Sequence, residues 1–98
     1  AFFADNDMIA LGVMKALQKH GFRIPEDISI IGFDDINFCN LFTPTLTTLR
    51  VFKKELGQLA VRRLIRLIKT GSKIRTKTEI CNELIERDST APIKSEEP

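Results

Sequence analysis

The sequence predicts an α/β protein with a mostly parallel sheet, and three observations indicate this class. A short apolar run, "AFFA", is followed by a helical pattern and then by a second apolar run, "ISIIGF", at residues 28–33. The second run is nearly continuous rather than alternating, which is typical of a parallel strand covered by helices on both faces. Strand, helix and strand within about 33 residues form a βαβ unit, whose crossover should be right-handed. A further strand, helix and strand complete the predicted order.

The first helix is predicted over residues 7–20. Asp5 or Asn6 can accept hydrogen bonds from the free N–H groups of its first turn, and Gly21 follows its end. Asp7 suits the positive end of the helix dipole. At 100° per residue, the side that we expect to face the core carries Ile9, Ala10, Val13, Met14, Ala16 and Leu17.

Two apolar residues of this helix, Met8 and Leu11, fall on the opposite side together with Lys15. Isolated apolar residues on a polar face are common, so chance exposure is one interpretation. A subunit interface is the other, and helical spacing alone leaves both open.

The rest of the chain predicts an irregular segment, "INFCNLFTP", then a strand at residues 46–51 and an amphipathic helix at 52–69. The basic residues of this helix are best explained as a solvated face, because no aromatic residues are interleaved with them. A last strand is predicted in "EICNELIER", and "DSTAPIKSEEP" is expected to be a loose tail. The apolar side of the second helix is predicted to carry Phe52, Leu56, Leu59, Ala60, Leu64, Leu67 and Ile68.

The composition is that of an ordinary globular domain. Fifteen basic and thirteen acidic residues give a net charge of +2, too small to indicate nucleic acid or a membrane as partner. Cys39 and Cys81 have no metal or redox spacing, so free, buried thiols in a reducing compartment are expected. No apolar run approaches the roughly 18 residues of a membrane span, and no signal-peptide pattern is present. Because the chain opens "AFFADND" without a Met, we expect it to be a piece of a longer protein.

Polar side chains follow both strands of the βαβ unit. The first strand leads into Asp5, Asn6 and Asp7, and the second into Asp34 and Asp35. Ligands of open parallel sheets bind outside the carboxyl ends of the strands, so both sets should line one crevice. We expect Asp35 to cap the turn that follows and Asp34 to face the ligand.

Several chemistries are possible for these carboxylates. A Mg²⁺ site would need clustered oxygens and a lysine at a later strand end, and no convincing lysine is present. Hydrolysis lacks a Ser/His pair, and the lone His20 lies at a helix end. Hydroxyl recognition remains, because an ionised Asp accepts O–H hydrogen bonds while an Asn both donates and accepts. We therefore expect a binding protein rather than an enzyme, without cofactor or metal.

Three stretches, "FFADNDMIALGVMKALQKHGFRIPEDISIIGFDD", "FTPTLTTLR" and "KKELGQLAVRRLIRLI", closely resemble the C-terminal part of the lactose/galactose-repressor (LacI/GalR) family of bacterial transcription regulators. The resemblance covers roughly residues 2–90, with linked motifs in the family's order and spacing. It implies a periplasmic-binding-protein-like core of two α/β subdomains around a cleft. The chain resembles about the last third of such a regulator, without its helix-turn-helix headpiece.

The resemblance also implies roles for particular residues. The Asn of "ND" and the first Asp of "GFDD", here Asn6 and Asp34, are expected to bind effector hydroxyls. A dimer contact is expected to use Met8, Leu11, Lys15 and Phe42, which favours the interface interpretation given above. Many members read "TTVRQP" where this chain reads "TTLRVF", so no ligand role is assigned to Val51, nor a role to Phe52.

The family's layout implies how this chain divides. Residues 1–49 are expected in the C-terminal subdomain, 50–52 in a crossover and 53–75 in the N-terminal subdomain. Residues 76–90 should return as a strand to the C-terminal subdomain, before a flexible tail at 91–98.

The function expected is effector sensing within a cytoplasmic, dimeric regulator that reaches DNA only through a headpiece absent from this chain. The effector should be a small molecule, sugar-like or nucleobase-like, and no membrane is involved. The alternative is a periplasmic sugar-binding protein of a transporter, distinguished by a signal peptide upstream in place of a helix-turn-helix. A phosphatase-like or receiver-like enzyme using Asp34 and Asp35 would instead show Mg²⁺-dependent chemistry. Alone, the chain is expected to aggregate, because its sheet edges and apolar faces lack partners.

Overall fold

The computed structural model describes residues 1–94, and its elements follow the predicted order. Each strand is shorter than the apolar run that predicted it. The α/β fold class is confirmed. The elements are β1 (Phe2–Phe3), α1 (Asp7–Lys19), β2 (Ile30–Ile31), a 3₁₀ helix (Asn37–Asn40), β3 (Thr48–Arg50), α2 (Lys53–Thr70) and β4 (Glu83–Ile85).

The strands pair mostly in parallel. β1 runs parallel to β2, with Phe3 opposite Ile31. Single parallel bridges join Ile31 to Thr47 and Asp34 to Arg50, and so bring β3 beside β2. β4 pairs with β3 in the antiparallel sense. The carboxyl ends of β1, β2 and β3 therefore share one edge.

Helix α1 is rotated relative to the prediction. Leu11 is only 3% exposed and belongs to the core, whereas Ile9 is 46% exposed and Ala16 is exposed as well. The placement of Leu11 on the outer side was wrong, and so was the placement of Ile9 and Ala16 on the core side. The cause is Asp7, which is itself buried and whose hydrogen bonds fix the rotation of the helix. The buried core consists of Ala4, Ala10, Leu11, Met14, Ile24, Ile30, Cys39 and Leu46.

Residues 51–82 form a compact unit of their own, separate from residues 1–50 and the described residues from 83 onward. Helix α2 ends at Thr70, and its C-cap is Gly71, whose φ of 62° is the left-handed conformation expected after a helix. None of the residues of α2 is buried, and Leu64 and Ile68 are 58% and 74% exposed. Within the described part of the chain, the predicted apolar side of α2 is therefore not buried against other residues. The assignment of these stretches to subdomains stays a prediction.

The segment after β4 is tied to the sheet. Ser89 is fully buried; its hydroxyl donates to the Ile30 carbonyl at 2.6 Å and accepts from the Thr47 amide at 2.8 Å. The Ala91 amide also donates to the Ser29 hydroxyl at 3.2 Å. The prediction of a loose tail from Asp88 onward is therefore wrong for its first residues. Residues 95–98 of that tail lie outside the described residues.

Gly32 directly follows β2, and close packing leaves no room for a side chain at this position. A Cβ at this position would overlap the Asp7 carboxylate and approach Leu46 Cδ2 to 3.0 Å. We predict that Gly32→Ala destabilises the intact protein by about 1–3 kcal/mol, measured by urea denaturation.

Gly57→Ala is the control, because nothing lies within 4 Å of a Cβ there and the residue is in the interior of α2. It should stabilise by about 0.5–1 kcal/mol. Equal stability of Gly32→Ala and the parent would contradict the packing argument.

Candidate functional site

Asn6 and Asp34 lie at the same edge of the sheet. The Ala4 amide donates to the Ile31 carbonyl at 2.9 Å, and the Asp7 amide donates to the Phe33 carbonyl at 3.1 Å. The two segments thus remain side by side beyond β1 and β2, and Asn6 and Asp34 both follow directly at this edge of the sheet. Binding of a ligand by this pair stays a prediction.

The backbone at Asp34 and Asp35 is strained. Their φ angles are 121° and 61°, and both residues are half-buried. Positive φ costs a non-glycine residue about 1–3 kcal/mol and persists only where the surroundings hold it. The Asp34 amide donates to the Leu49 carbonyl at 2.8 Å, which fixes one side of this turn to β3. Consecutive strained residues at a strand end are typical of binding sites.

Asn6 serves as the cap of α1. Its side-chain oxygen accepts a hydrogen bond from the Ile9 amide at 2.9 Å, and its backbone is extended. This bond orients the side-chain amide, whose NH₂ group is the donor that Asn6 can offer to a ligand hydroxyl. Capping and ligand binding are therefore compatible roles for one residue.

Asp35 does not cap the following turn, contrary to the prediction. The N-cap of the 3₁₀ helix is Ile36, without a side-chain capping bond. The Asp35 carboxylate instead accepts hydrogen bonds from Arg50 Nε at 2.8 Å and Arg87 Nη2 at 2.7 Å, and is only 9% exposed. Desolvation raises the pKa of Asp35, but the bonds from both arginines outweigh it, so that the pKa lies below its usual value. This stabilisation is complete above the ordinary carboxyl pKa and is lost as pH falls below it.

Sequence reasoning missed the central role of Asp7. Its carboxylate is 1% exposed and accepts three hydrogen bonds: from Thr48 Oγ1 at 2.6 Å, the Ile36 amide at 2.8 Å and Cys39 Sγ at 3.2 Å. The residue joins the start of α1 to β3 and to the segment after β2, and so holds the strand ends together. A signal was present, since Asp7 lies three and seven residues before the buried Ala10 and Met14.

A surface cavity of about 330 Å³ collects the residues expected at the dimer contact. Of its lining residues, Leu11 is buried, whereas Met8 and Phe38 are 62% and 53% exposed. Phe38 was not predicted. The cavity is lined by Met8, Leu11, Gly12, Lys15, Phe38 and Phe42.

Across residues 1–94, no group of three or more His, Cys, Asp and Glu side chains is arranged to hold a metal ion. Neither helix of this part combines the length and the apolar character needed to cross a membrane.

Residues 1–90 match the family model of the periplasmic binding protein-like domain. The chain is 40% identical over 91 residues to the NTD biosynthesis operon regulator NtdR of Bacillus subtilis, covering 92% of this chain and 28% of NtdR. It is 43% identical over 89 residues to the HTH-type transcriptional repressor PurR of Vibrio cholerae, covering 91% of this chain and 26% of that repressor.

Solved structures of LacI-family regulators are also similar to this chain. A LacI family transcriptional regulator from Enterococcus faecalis with bound ribose superimposes with a TM-score of 0.85 at 41% identity, over 94% of this chain and 34% of that one. The lac repressor dimer bound to operator and the anti-inducer ONPF gives a TM-score of 0.82 at 33% identity, over 90% of this chain and 30% of that one.

The chain belongs to the periplasmic binding protein-like domain family. Within this family it is a fragment of the effector-binding core of a LacI-family regulator, which confirms the resemblance found in the sequence. It spans about a quarter to a third of the length of these relatives.

Burial and the adjoining Asp7 carboxylate raise the pKa of the Cys39 thiol to about 12. The folded protein therefore keeps a proton that the unfolded chain loses above about pH 8.5. The stabilising contribution of this thiol is complete below the unfolded pKa and declines as pH rises toward 12. The expected burial is found for Cys39 but was wrong for Cys81, which lies exposed in the separate unit of residues 51–82. We predict that N-ethylmaleimide at about pH 8 modifies Cys81 but spares Cys39 until the protein is denatured.

Peptide mapping by mass spectrometry shows which cysteine carries the N-ethylmaleimide label. The control is Cys81→Ser, which should remain unlabelled while it is folded. Labelling of folded Cys39 as fast as Cys81 would contradict the prediction.

Proposed function

We propose that this chain is the effector-sensing portion of a DNA-binding transcription regulator. The observation that carries the proposal is the pair Asn6 and Asp34 at the carboxyl edge of the sheet, in a chain that matches regulators over more than nine-tenths of its length. The relatives are regulators rather than transport proteins or enzymes. We place the function in the cytoplasm, where operator DNA is found.

The chemistry fits a hydroxyl-bearing effector. An ionised Asp34 accepts O–H donors, and the Asn6 NH₂ group donates to a hydroxyl oxygen. Two relatives are described with bound ribose, at 39% and 41% identity, and one with lactose, at 36%. A sugar-like or nucleobase-like ligand is therefore the class that we propose.

Effector binding is proposed to shift the balance between two conformations of the whole regulator that differ in operator affinity. Such linkage requires the effector to bind the two conformations unequally, and it is reciprocal. DNA contact would come from a headpiece outside this chain, presented twice by a dimer to a two-fold symmetric operator.

The dimer contact is proposed at the cavity between α1 and the 3₁₀ helix. Met8 and Phe42 present exposed apolar surface around the buried Leu11. An exposed apolar patch with a polar rim, here Lys15, is typical of an interface.

Asp34→Asn in the intact regulator should weaken effector binding by about 1.5–3 kcal/mol, the value of a hydrogen bond to a charged group. Isothermal titration calorimetry with ribose, lactose and purine bases measures this. Asp27→Asn is the control, since Asp27 pairs with Arg23 on the exposed surface. Unchanged affinity with a lowered melting temperature would show that Asp34 is structural and would refute the site.

Met8→Lys should weaken the dimer at least tenfold, because it buries an ammonium group beside Lys15 in an apolar contact. Analytical ultracentrifugation of the intact protein measures the dimer dissociation constant. Ile93→Lys is the control, because Ile93 is 97% exposed and lies away from the cavity lining. Equal dimer affinity for both variants would place the interface elsewhere.

A further inference from the structure

We propose that Asp35, clamped by Arg50 and Arg87, is a positioning residue that sets the strained backbone of Asp34 for effector binding. The inference rests on the proposed function, because it concerns the same ligand site. The Asp35 carboxylate would not bind the ligand itself. It would act by fixing the backbone of its neighbour, Asp34.

The clamp is a fixed arrangement. Each oxygen of the Asp35 carboxylate has its own arginine: Oδ1 accepts from Arg87 Nη2 at 2.7 Å and Oδ2 accepts from Arg50 Nε at 2.8 Å. The carboxylate cannot rotate without breaking one bond. Its side chain is 9% exposed, and that of Arg87 is 13% exposed.

Arg87 is anchored through its side chain and its backbone, and Arg50 is anchored through its backbone. Arg87 donates through Nη1 to the Leu46 carbonyl at 2.9 Å, and its backbone amide donates to the Thr47 hydroxyl at 2.8 Å. Arg50 is the bridge partner of Asp34 itself and lies on β3. The clamp thus ties the turn after β2 to β3 and to the segment after β4.

The strain of the turn explains why a clamp is needed. Asp34 and Asp35 both have positive φ, a conformation that is unfavourable for L-residues and relaxes unless it is held. The Ile36 amide after the turn is held by the Asp7 carboxylate at 2.8 Å, and the Asp34 amide before it is held by the Leu49 carbonyl. The bonds from Asp35 supply a restraint one residue away from the proposed ligand carboxylate.

Neutralising Asp35 should release this restraint. In Asp35→Asn, one face of the side chain becomes an NH₂ group directed at an arginine N–H, so one bond of the clamp is lost. An exposed pair such as Arg23–Asp27 is weak by comparison, because solvent screens it and Asp27 is 35% exposed.

The test is a double-mutant cycle in the intact regulator, with ribose as the probe, measured by calorimetry. Asp35→Asn should lower ribose affinity about 10- to 100-fold, close to the loss from Asp34→Asn. In the Asp34→Asn background it should have little further effect on affinity while still lowering the melting temperature. Asp27→Asn should leave ribose affinity unchanged.

Two results would overturn the proposal. If Asp35→Asn lowers the melting temperature with ribose affinity unchanged, or if the two losses of affinity add, Asp35 is structural only. If the parent does not bind ribose, ribose is not its effector, and crystal structures of the parent and Asp35→Asn decide the present inference. Residues 34 and 35 should then leave positive φ in the variant, and a backbone unchanged within about 0.5 Å would refute the clamp.

Discussion

The buried carboxylate of Asp7 is the interaction on which the rest of the structure depends. A carboxylate withdrawn from water is costly unless its oxygens accept hydrogen bonds, and here three donors reach it from β3, the 3₁₀ helix and the residue before that helix. These bonds fix the rotation of α1, and with it the choice of Leu11 rather than Ile9 for the core. They also require Gly32, since any side chain there would occupy the space of the carboxylate. Core packing and the site at the strand ends therefore share one anchor.

Asp34 and Asp35, which follow β2, are adjacent in sequence and are held in place by different contacts. Asp35 is almost enclosed and bonded to two arginines, whereas Asp34 is held at its backbone by β3. A bidentate carboxylate with both oxygens engaged is a poor ligand group, because binding would first require an arginine to be displaced. In the proposed site, the Asp35 carboxylate maintains the conformation of the turn, and Asp34 binds the effector.

Much of the fold was readable from the sequence, because it depends on local signals. The caps at Asn6 and Gly71 and the continuous apolar run of β2 set the elements and their order. The same signals placed Asn6 and Asp34 at one edge. The partners of Asp35 were not readable, since Arg50 and Arg87 lie 15 and 52 residues away along the chain. The burial of Ser89 was missed for the same reason: polar residues near the end of a chain resemble a tail unless their distant acceptors are known.

The position of the clamp gives it a second consequence. The chain leaves for residues 51–82 directly after Arg50 and returns at Glu83, which is the register partner of Arg50 in the β3–β4 pair. Arg50 Nη1 also lies 3.9 Å from the Glu83 carboxylate. The turn that carries Asp34 is thus bonded, through Asp35 and Arg50, to the point where both connections begin. In the proposed clamp, a change in this turn therefore acts directly on Arg50, the last residue before the chain leaves for residues 51–82.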